Sequence, residues 1–197
     1  MFDRSSSWDD KAGIQTLIPT ILTFGLLGYP FVLADMVGGN AYGDLVTFKG
    51  GAYPDRELFI RWMEINTFFP TIQYSIAPWI YDTEVIELCR KYTDLHAKYA
   101  PMMVSLAKES MTTGDPIIRP IWWSSPKDET ALTVDNEFLV GNSILVAPVI
   151  KKGQTSRDIY LPSGVWQDEL KGGRHQGPKW LLNYKVELRE LPYFNAL

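Results

Sequence analysis

Four aspartates occupy positions where a carboxyl group could do chemistry. Asp3, Asp9 and Asp10 lie in a polar segment ahead of the first apolar stretch, and Asp35 directly follows an apolar run. A carboxyl group acts as a general acid only if its surroundings raise its pKa, so that it holds a proton near neutral pH. The same groups could instead be solvated loop acids or helix caps. Asp35 could also stabilise the glycine turn that follows it through hydrogen bonds to the main chain.

The chain is rich in aromatic residues, with seven Trp, ten Tyr and nine Phe, or 13 % of its residues. Aromatic faces stack on the C–H faces of sugar rings, so this composition permits a carbohydrate site, although large aromatics also fill cores. The formal net charge of −4 leaves no basic surplus to neutralise phosphates. The composition therefore argues against a nucleic-acid partner.

The cysteine and histidine content argues against metal chemistry. Cys89 is the single cysteine, so an internal disulfide and a cysteine-rich zinc site are excluded. His96 lies on the apolar stripe of a long helical segment and is predicted to be a core residue, while His175 lies in a glycine-rich turn and is predicted to be solvated. No His, Asp and Glu cluster has metal-ligand spacing, so we predict no catalytic metal and no cofactor.

The apolar pattern predicts a helix and then a strand near the start of the chain. Residues 14–27 are apolar nearly all round and suit a buried helix that stops at Gly28. Residues 29–34 form a continuous apolar run, typical of a strand covered on both faces. A glycine-rich loop around residues 43–51 follows. Thr, Gln, Gly and Pro interrupt residues 14–34, so no membrane segment is predicted.

Two further helices and a set of short strands follow. Pro54 and Asp55 begin a helix that Pro70 ends, and Asp82 caps a long helix with a kink expected at Pro101 and an end at Gly114. Residues 117–123 look strand-like, and the rest of the chain shows short strands between turns. The predicted strands are residues 138–140, 143–149, 157–161 and 185–188.

This order of elements predicts two domains. Residues 1–125 are expected to form the C-terminal portion of a (β/α)8 TIM barrel, and residues 126–197 a small antiparallel β-sandwich domain. A complete barrel has eight strands in about 250 residues, so these strands are too few to close one. The missing barrel strands are expected upstream of this chain.

Four motifs, in order along the chain, resemble glycoside hydrolase family 31. The Asp-Met-Val-Gly-Gly sequence at residues 35–39 is similar to the family's Asp-Ile-Gly-Gly strand end. An Arg-Trp pair at residues 61–62 precedes Phe-Phe-Pro at residues 68–70, as in the family. Two further matches are the Gly-Asn-Ser-Ile-Leu-Val-Ala-Pro-Val strand at residues 141–149 and the Tyr-Leu-Pro-Ser-Gly-Val-Trp turn at residues 160–166.

The resemblance implies a retaining α-glycosidase, which needs a nucleophilic carboxylate and an acid/base carboxyl about 5–5.5 Å apart. The nucleophile's sequence setting does not occur in this chain. The Asp-x-x-Ser-x-Trp spacing makes Asp3 the acid/base candidate. Arg4 replaces the family's usual Asn, and the following helix begins about three residues late, so Asp9 is a rival and Asp10 a weaker one.

The resemblance also implies substrate-binding residues. Asp35 is expected to bind sugar hydroxyl groups at a strand end. Arg61 is expected either to bind substrate or to pair with a carboxylate such as Asp35, and Trp62 either to bind substrate or to lie in the core. Gln73 and Ser75 stand where the family usually has Arg and His, which puts typical α-glucosidase specificity in doubt.

Residues 27–40 and 119–123 resemble one branch of the family, which implies α-galactoside chemistry and a secretory-pathway location through an upstream membrane anchor. The expected function is hydrolysis of O-glycosyl bonds in a carbohydrate substrate, an α-galactoside or an α-glucoside. This chain would be a partial enzyme without its nucleophile, inactive alone. The alternative is a non-catalytic relative that binds carbohydrate or protein. The sequence does not predict the oligomeric state.

Overall fold

The computed structural model describes residues 3–40 and 53–197. The predicted loop around residues 43–51 lies outside the described residues. Three α-helices, α1 (Leu17–Leu26), α2 (Arg56–Asn66) and α3 (Thr83–Thr113), precede six strands. The strands are β1 (Ile118–Arg119), β2 (Phe138–Val140), β3 (Ile144–Val146), β4 (Ser156–Asp168), β5 (Arg174–Lys185) and β6 (Tyr193–Ala196).

Side chains cap the two longer helices as predicted. Asp55 accepts a hydrogen bond from the Leu58 N–H at 3.0 Å, and Asp82 accepts one from the Val85 N–H at 3.0 Å. Each bond satisfies an N–H group that a helix start leaves without an intrahelical partner. At the other end of α3, Gly114 adopts the left-handed conformation at φ 81°. No helix in the described part of the chain has the length and apolarity of a membrane span.

The strand predicted at residues 29–34 is not a regular strand. At the glycine turn, hydrogen bonds join three segments of the barrel portion. Ser5 forms a parallel bridge with Asn40, and the Val37 N–H donates to the Gln73 carbonyl at 2.8 Å. Three segments, at residues 4–6, 35–40 and 73, therefore lie side by side, as neighbouring strands of a barrel do.

The six strands form one antiparallel sheet in the order β1-β2-β3-β6-β4-β5. β4 and β5 make a long hairpin in which Tyr160 pairs with Trp180, with a register shift around residues 161–164. The strand predicted at residues 185–188 is wrong apart from its first residue, because β5 ends at Lys185, and no predicted strand corresponds to β6. β1 pairs with β2, so the sheet begins before the predicted boundary at residue 125, and we propose that the boundary lies near Gly114.

β2 and β3 separate two apolar cores. Phe138 and Val140 point into the core that the three helices share, whereas Leu139 points into the core of the β domain. The same alternation holds along β3, because successive side chains of a strand point to opposite faces. Both strands are therefore buried on both faces, which explains why they are continuous apolar runs rather than alternating ones.

Arg61 joins the barrel helices to the β domain. Its guanidinium forms a buried ion pair with Glu64 at 2.9 Å, and it also donates to the carbonyls of Glu187 at 3.1 Å and Gln154 at 3.3 Å. Burial raises the pKa of Glu64, and the charge of Arg61 opposes that shift. Arg61 thus pairs with a carboxylate, one of its two expected roles, but the partner is Glu64, one helical turn away, and not Asp35.

We predict that Arg61→Met lowers the free energy of unfolding by about 3–5 kcal/mol at pH 9, because it leaves the buried Glu64 carboxylate unpaired. The loss should be smaller at pH 6. A carboxyl group whose folded-state pKa is raised keeps its proton below that pKa, and the associated stability is lost as the pH rises through it. Urea unfolding at both pH values measures the difference.

Arg56→Met is the matched control, because Arg56 pairs with Asp82 and Glu84 near the surface with 34 % of its side chain exposed. Such exposed pairs contribute about 0–1 kcal/mol each, so its effect should be small at both pH values. Equal losses for the two arginine variants would contradict the interface role of Arg61.

Candidate active site at the barrel strand ends

The segment that carries Asp3 is fixed against the residue that ends the glycine turn. The Asn40 N–H donates to the Arg4 carbonyl at 2.6 Å, and the Ser6 N–H donates to the Asn40 carbonyl at 3.2 Å. The Asn40 side-chain amide also donates to a carboxylate oxygen of Asp3. Asp3 itself is exposed. Its carboxyl group is therefore held at a strand end while remaining open to solvent.

Asp35 is fully buried, and its two carboxylate oxygens hold main-chain groups of two segments. One oxygen accepts the Arg4 N–H at 2.6 Å and the other accepts the Met36 N–H at 2.6 Å. Burial raises the pKa of Asp35 to about 6, the nearby negative charge of Asp3 adds to this, and the two N–H donors oppose it. Asp35 therefore ties the Asp3 segment to the glycine turn, the structural role left open by the sequence.

Trp62 lies beneath that turn. Its ring is fully buried, and a Cβ at Gly39 would lie 2.7 Å from the ring and 3.0 Å from the Arg4 carbonyl oxygen. Gly39 also has φ +77°, which favours glycine. Trp62 is thus a core residue that supports the turn, and its indole N–H finds no hydrogen-bond partner within the described residues.

Asp9 holds the main chain of its own loop, just ahead of the first helix. One oxygen of its carboxylate accepts the N–H groups of Lys11 at 2.9 Å, Ala12 at 2.7 Å and Gly13 at 3.2 Å. The Ser7 hydroxyl donates to the other oxygen. The Ser7 hydroxyl and then these N–H groups lower the pKa of Asp9 well below its usual value. The arrangement favours the ionised form of the carboxylate at all moderate pH values.

The remaining candidates form no side-chain hydrogen bond with Asp3 among the bonds described above. Asp10 is exposed and borders a polar cavity of about 460 Å³ that Arg4 and Thr20 also line. Gln73 is half-buried and holds the glycine turn through its carbonyl. The next residues, Tyr74 and Ser75, line a separate cavity of about 530 Å³.

Neither histidine joins the site. His96 is half-buried, with its Nδ1 atom 2.9 Å from the Thr67 carbonyl oxygen. His175, predicted to be solvated, keeps 24 % of its side chain exposed and lies 3.6 Å from Asp168. No group of three or more His, Cys, Asp or Glu in residues 3–40 and 53–197 could hold a metal ion.

The sequence analysis did not identify Asn40. It directly follows the two glycines of the Asp-Met-Val-Gly-Gly motif, where its side chain reaches across to Asp3, which lies 37 residues earlier in the chain. The only signal in the sequence was its position next to the turn. Contact between two residues so far apart depends on the pairing of the strand ends.

Two protein-family descriptions cover nearly the whole chain. Residues 3–106 match the Glycosyl hydrolases family 31 TIM-barrel domain, and residues 114–195 match the Glycosyl hydrolase family 31 C-terminal domain. The first match alone includes more than half of the 197 residues. The predicted architecture, part of a (β/α)8 barrel followed by an antiparallel β domain, is confirmed.

Individual relatives agree with these matches. Myogenesis-regulating glycosidase of Mus musculus is 45 % identical over 98 % of this chain and 27 % of its own length. It represents the branch that residues 27–40 and 119–123 resemble. Alpha-glucosidase 2 of Bacillus thermoamyloliquefaciens is 30 % identical over 98 % of this chain and 23 % of its own length. The chain thus spans about a quarter of the length of these relatives.

A solved structure shows the same fold. The family 31 alpha-xylosidase from a soil metagenome, crystallised with xylose, superposes with a TM-score of 0.86. The superposition covers 98 % of this chain and 31 % of that chain, at 24 % identity. Likeness at this identity establishes a shared fold and leaves substrate and activity open.

We predict that Gly39→Ala destabilises the protein more than Gly28→Ala, by about 1–3 kcal/mol, because only Gly39 is closely packed. Both glycines have positive φ, at +77° and +87°, so both variants carry backbone strain. An added Cβ at Gly28 meets nothing within 4 Å. Urea unfolding of the two variants measures the difference, and equal midpoints would show that the contact of Gly39 with Trp62 contributes nothing.

Proposed function

The chain belongs to glycosyl hydrolase family 31, and from this membership we propose that it forms part of a retaining glycosidase that hydrolyses the O-glycosyl bond of an α-glycoside. One observation carries the proposal beyond family membership. Asp3 combines solvent exposure with a carboxyl group held by Asn40, directly after the glycine turn, where Ser5 and Asn40 form a parallel bridge. Active sites of (β/α)8 barrels lie in the turns at the C-terminal ends of the parallel strands.

We propose that the nucleophile comes from residues outside this chain. A retaining pair needs a second carboxylate about 5–5.5 Å from the acid/base. Asp35, the carboxylate tied to the Asp3 segment, is fully buried with both oxygens engaged by main-chain N–H groups, so it is not free to attack a sugar. The 197-residue chain by itself is therefore expected to show no turnover.

In the proposed mechanism Asp3 acts twice. As an acid it gives its proton to the glycosidic oxygen while the bond from that oxygen to the sugar carbon breaks and the nucleophile bonds to the carbon. As a base it then takes a proton from water, whose oxygen attacks the same carbon and displaces the nucleophile. Asp35 and Trp62 position the strand ends and need not touch the sugar.

The surroundings of Asp9 favour Asp3 over its rival. A general acid must hold a proton near the working pH. Four hydrogen bonds lower the pKa of Asp9, which keeps that carboxyl group ionised. The three N–H groups that Asp9 accepts belong to its own loop, so its carboxylate stabilises the local main chain.

We predict that, in the protein completed with its nucleophile, Asp3→Asn slows hydrolysis of glycosides with poor leaving groups by about 10²–10⁴-fold. Aryl glycosides with good leaving groups should be much less affected in the first step, because their oxygen departs without a proton. Without a base to activate water, the glycosyl intermediate should then accumulate. Added azide needs no base and should restore turnover.

Asp9→Asn is the matched control for this experiment, and the isolated 197-residue chain is the blank. Asp9→Asn should leave the rate within a few-fold, although weaker hydrogen bonds to the N–H groups of its loop should lower stability. If Asp9→Asn shows the leaving-group dependence and azide rescue while Asp3→Asn does not, the acid/base is Asp9. If neither variant changes a measurable hydrolysis rate, or the completed protein only binds sugar, the catalytic assignment fails and a non-catalytic binding role takes its place.

The proposed substrate is an α-galactoside. Gln73 and Ser75 replace the Arg and His that family members usually place after the Phe-x-Pro element. Exchanging a cation and an imidazole for two short neutral groups changes which sugar hydroxyl groups can find partners, and unpaired polar groups in a site discriminate strongly. Glucosidases of the family are also similar to this chain, so an α-glucoside is the competing substrate.

We predict that the completed enzyme has a higher kcat/KM for an α-galactoside than for maltose. Gln73→Arg combined with Ser75→His should shift the ratio towards maltose, and the single exchange Thr71→Ser, on the same segment but outside the motif, should not. Equal or better turnover of maltose by the unaltered enzyme would refute the substrate assignment and leave the family assignment intact.

A further inference from the structure

We propose that Asn40 is a positioning residue for the acid/base reaction, which holds one oxygen of Asp3 so that the other oxygen faces the departing glycosidic oxygen. The inference rests on the proposed function, because it takes Asp3 as the acid/base. It is carried by the hydrogen bond from the Asn40 side-chain amide to one oxygen of Asp3. Asn40 would not exchange protons with the substrate itself.

The main chain of Asn40 is anchored to the residues just after Asp3. Its N–H donates to the Arg4 carbonyl at 2.6 Å, and its carbonyl accepts the Ser6 N–H at 3.2 Å. The Arg4 N–H also donates a hydrogen bond to a carboxylate oxygen of Asp35 at 2.6 Å. The amide and the carboxyl group are thus attached to one rigid patch of main chain, which fixes the distance between them.

An exposed aspartate that acts as an acid/base needs a hydrogen bond that fixes its orientation. A free carboxyl group at the surface rotates among several rotamers, and freezing it during the reaction opposes catalysis. The amide occupies one oxygen of Asp3, so the proton must reside on the other. When Asp3 later acts as a base, the same oxygen is free to take the proton from water.

The neutrality of the amide suits both steps. A lysine or arginine in its place would strongly favour the ionised carboxylate and hinder proton donation. A neutral N–H donor orients the carboxylate and is compatible with a protonated Asp3. The oxygen that it binds remains a hydrogen-bond acceptor in the protonated acid.

The test uses the completed enzyme with glycosides that differ only in leaving group. Asn40→Ala should lower kcat/KM for a poor alkyl leaving group by about tenfold, the size expected for one orienting hydrogen bond. It should leave a dinitrophenyl glycoside within about threefold in the first step, and KM should change little. Lys11→Gln, at an exposed position of the same loop with no proposed role in the reaction, is the control and should change neither rate.

The nearly isosteric Asn40→Asp variant provides a second signature. Above its own titration, the new carboxylate repels Asp3 and donates no hydrogen bond, so the loss for poor leaving groups should exceed that of Asn40→Ala. At acidic pH the new carboxyl group is protonated and donates again, so part of the activity should return relative to the unaltered enzyme at the same pH. If the alanine variant fails to fold, Asn40→Asp alone still tests the inference.

The outcomes separate this inference from the proposed function. If Asp3→Asn shows leaving-group dependence but Asn40→Ala slows all glycosides equally and raises KM, Asn40 binds the sugar and the inference is overturned. Absence of an acidic recovery in Asn40→Asp overturns it as well. If Asp3→Asn itself shows no leaving-group dependence, the proposed function fails before Asn40 is tested.

Discussion

The buried carboxylate of Asp35 is the interaction on which the candidate site depends. A carboxylate removed from water is stable only when hydrogen bonds replace its hydration, and Asp35 meets this need with the N–H groups of Arg4 and Met36. Because those donors belong to different segments, satisfying one buried group also fixes the Asp3 segment against the glycine turn. The same bonds that stabilise Asp35 therefore set the position of the proposed acid/base.

Arg61, at the interface between the domains, is likewise a buried charged group that needs hydrogen-bond partners. Its guanidinium is almost fully buried, and its two terminal nitrogens donate to Glu64 and to carbonyls of the β domain. The β domain is thus attached to α2 by a residue that cannot lose its partners without leaving a charge in a core. Since α2 also carries Trp62, which supports the glycine turn, the position of the β domain and the shape of the site are linked through one helix.

The sequence predicted those features that depend on neighbouring residues. The helix start near Asp55, the cap at Asp82 and the stop at Gly114 follow from local chemistry, and the structure confirms all three. The prediction of a strand at residues 29–34 was wrong, because an apolar run indicates burial but does not indicate hydrogen-bonded pairing with another strand. The partner of Arg61 was missed because both Asp35 and Glu64 were possible, and only packing decides which carboxylate a buried cation reaches.

The choice between Asp3 and Asp9 shows why site chemistry needs structure. In the sequence both are loop acids near a tryptophan, and spacing alone kept them as rivals. In the structure Asp9 accepts hydrogen bonds from the N–H groups of residues 11–13. These bonds lie within its own loop and favour the charged form of the carboxylate. The hydrogen bond of Asp3 comes from a residue on the adjacent segment and leaves the group exposed. A carboxyl group held by local N–H groups serves the fold, whereas one held across strand ends and open to solvent is available for proton transfer.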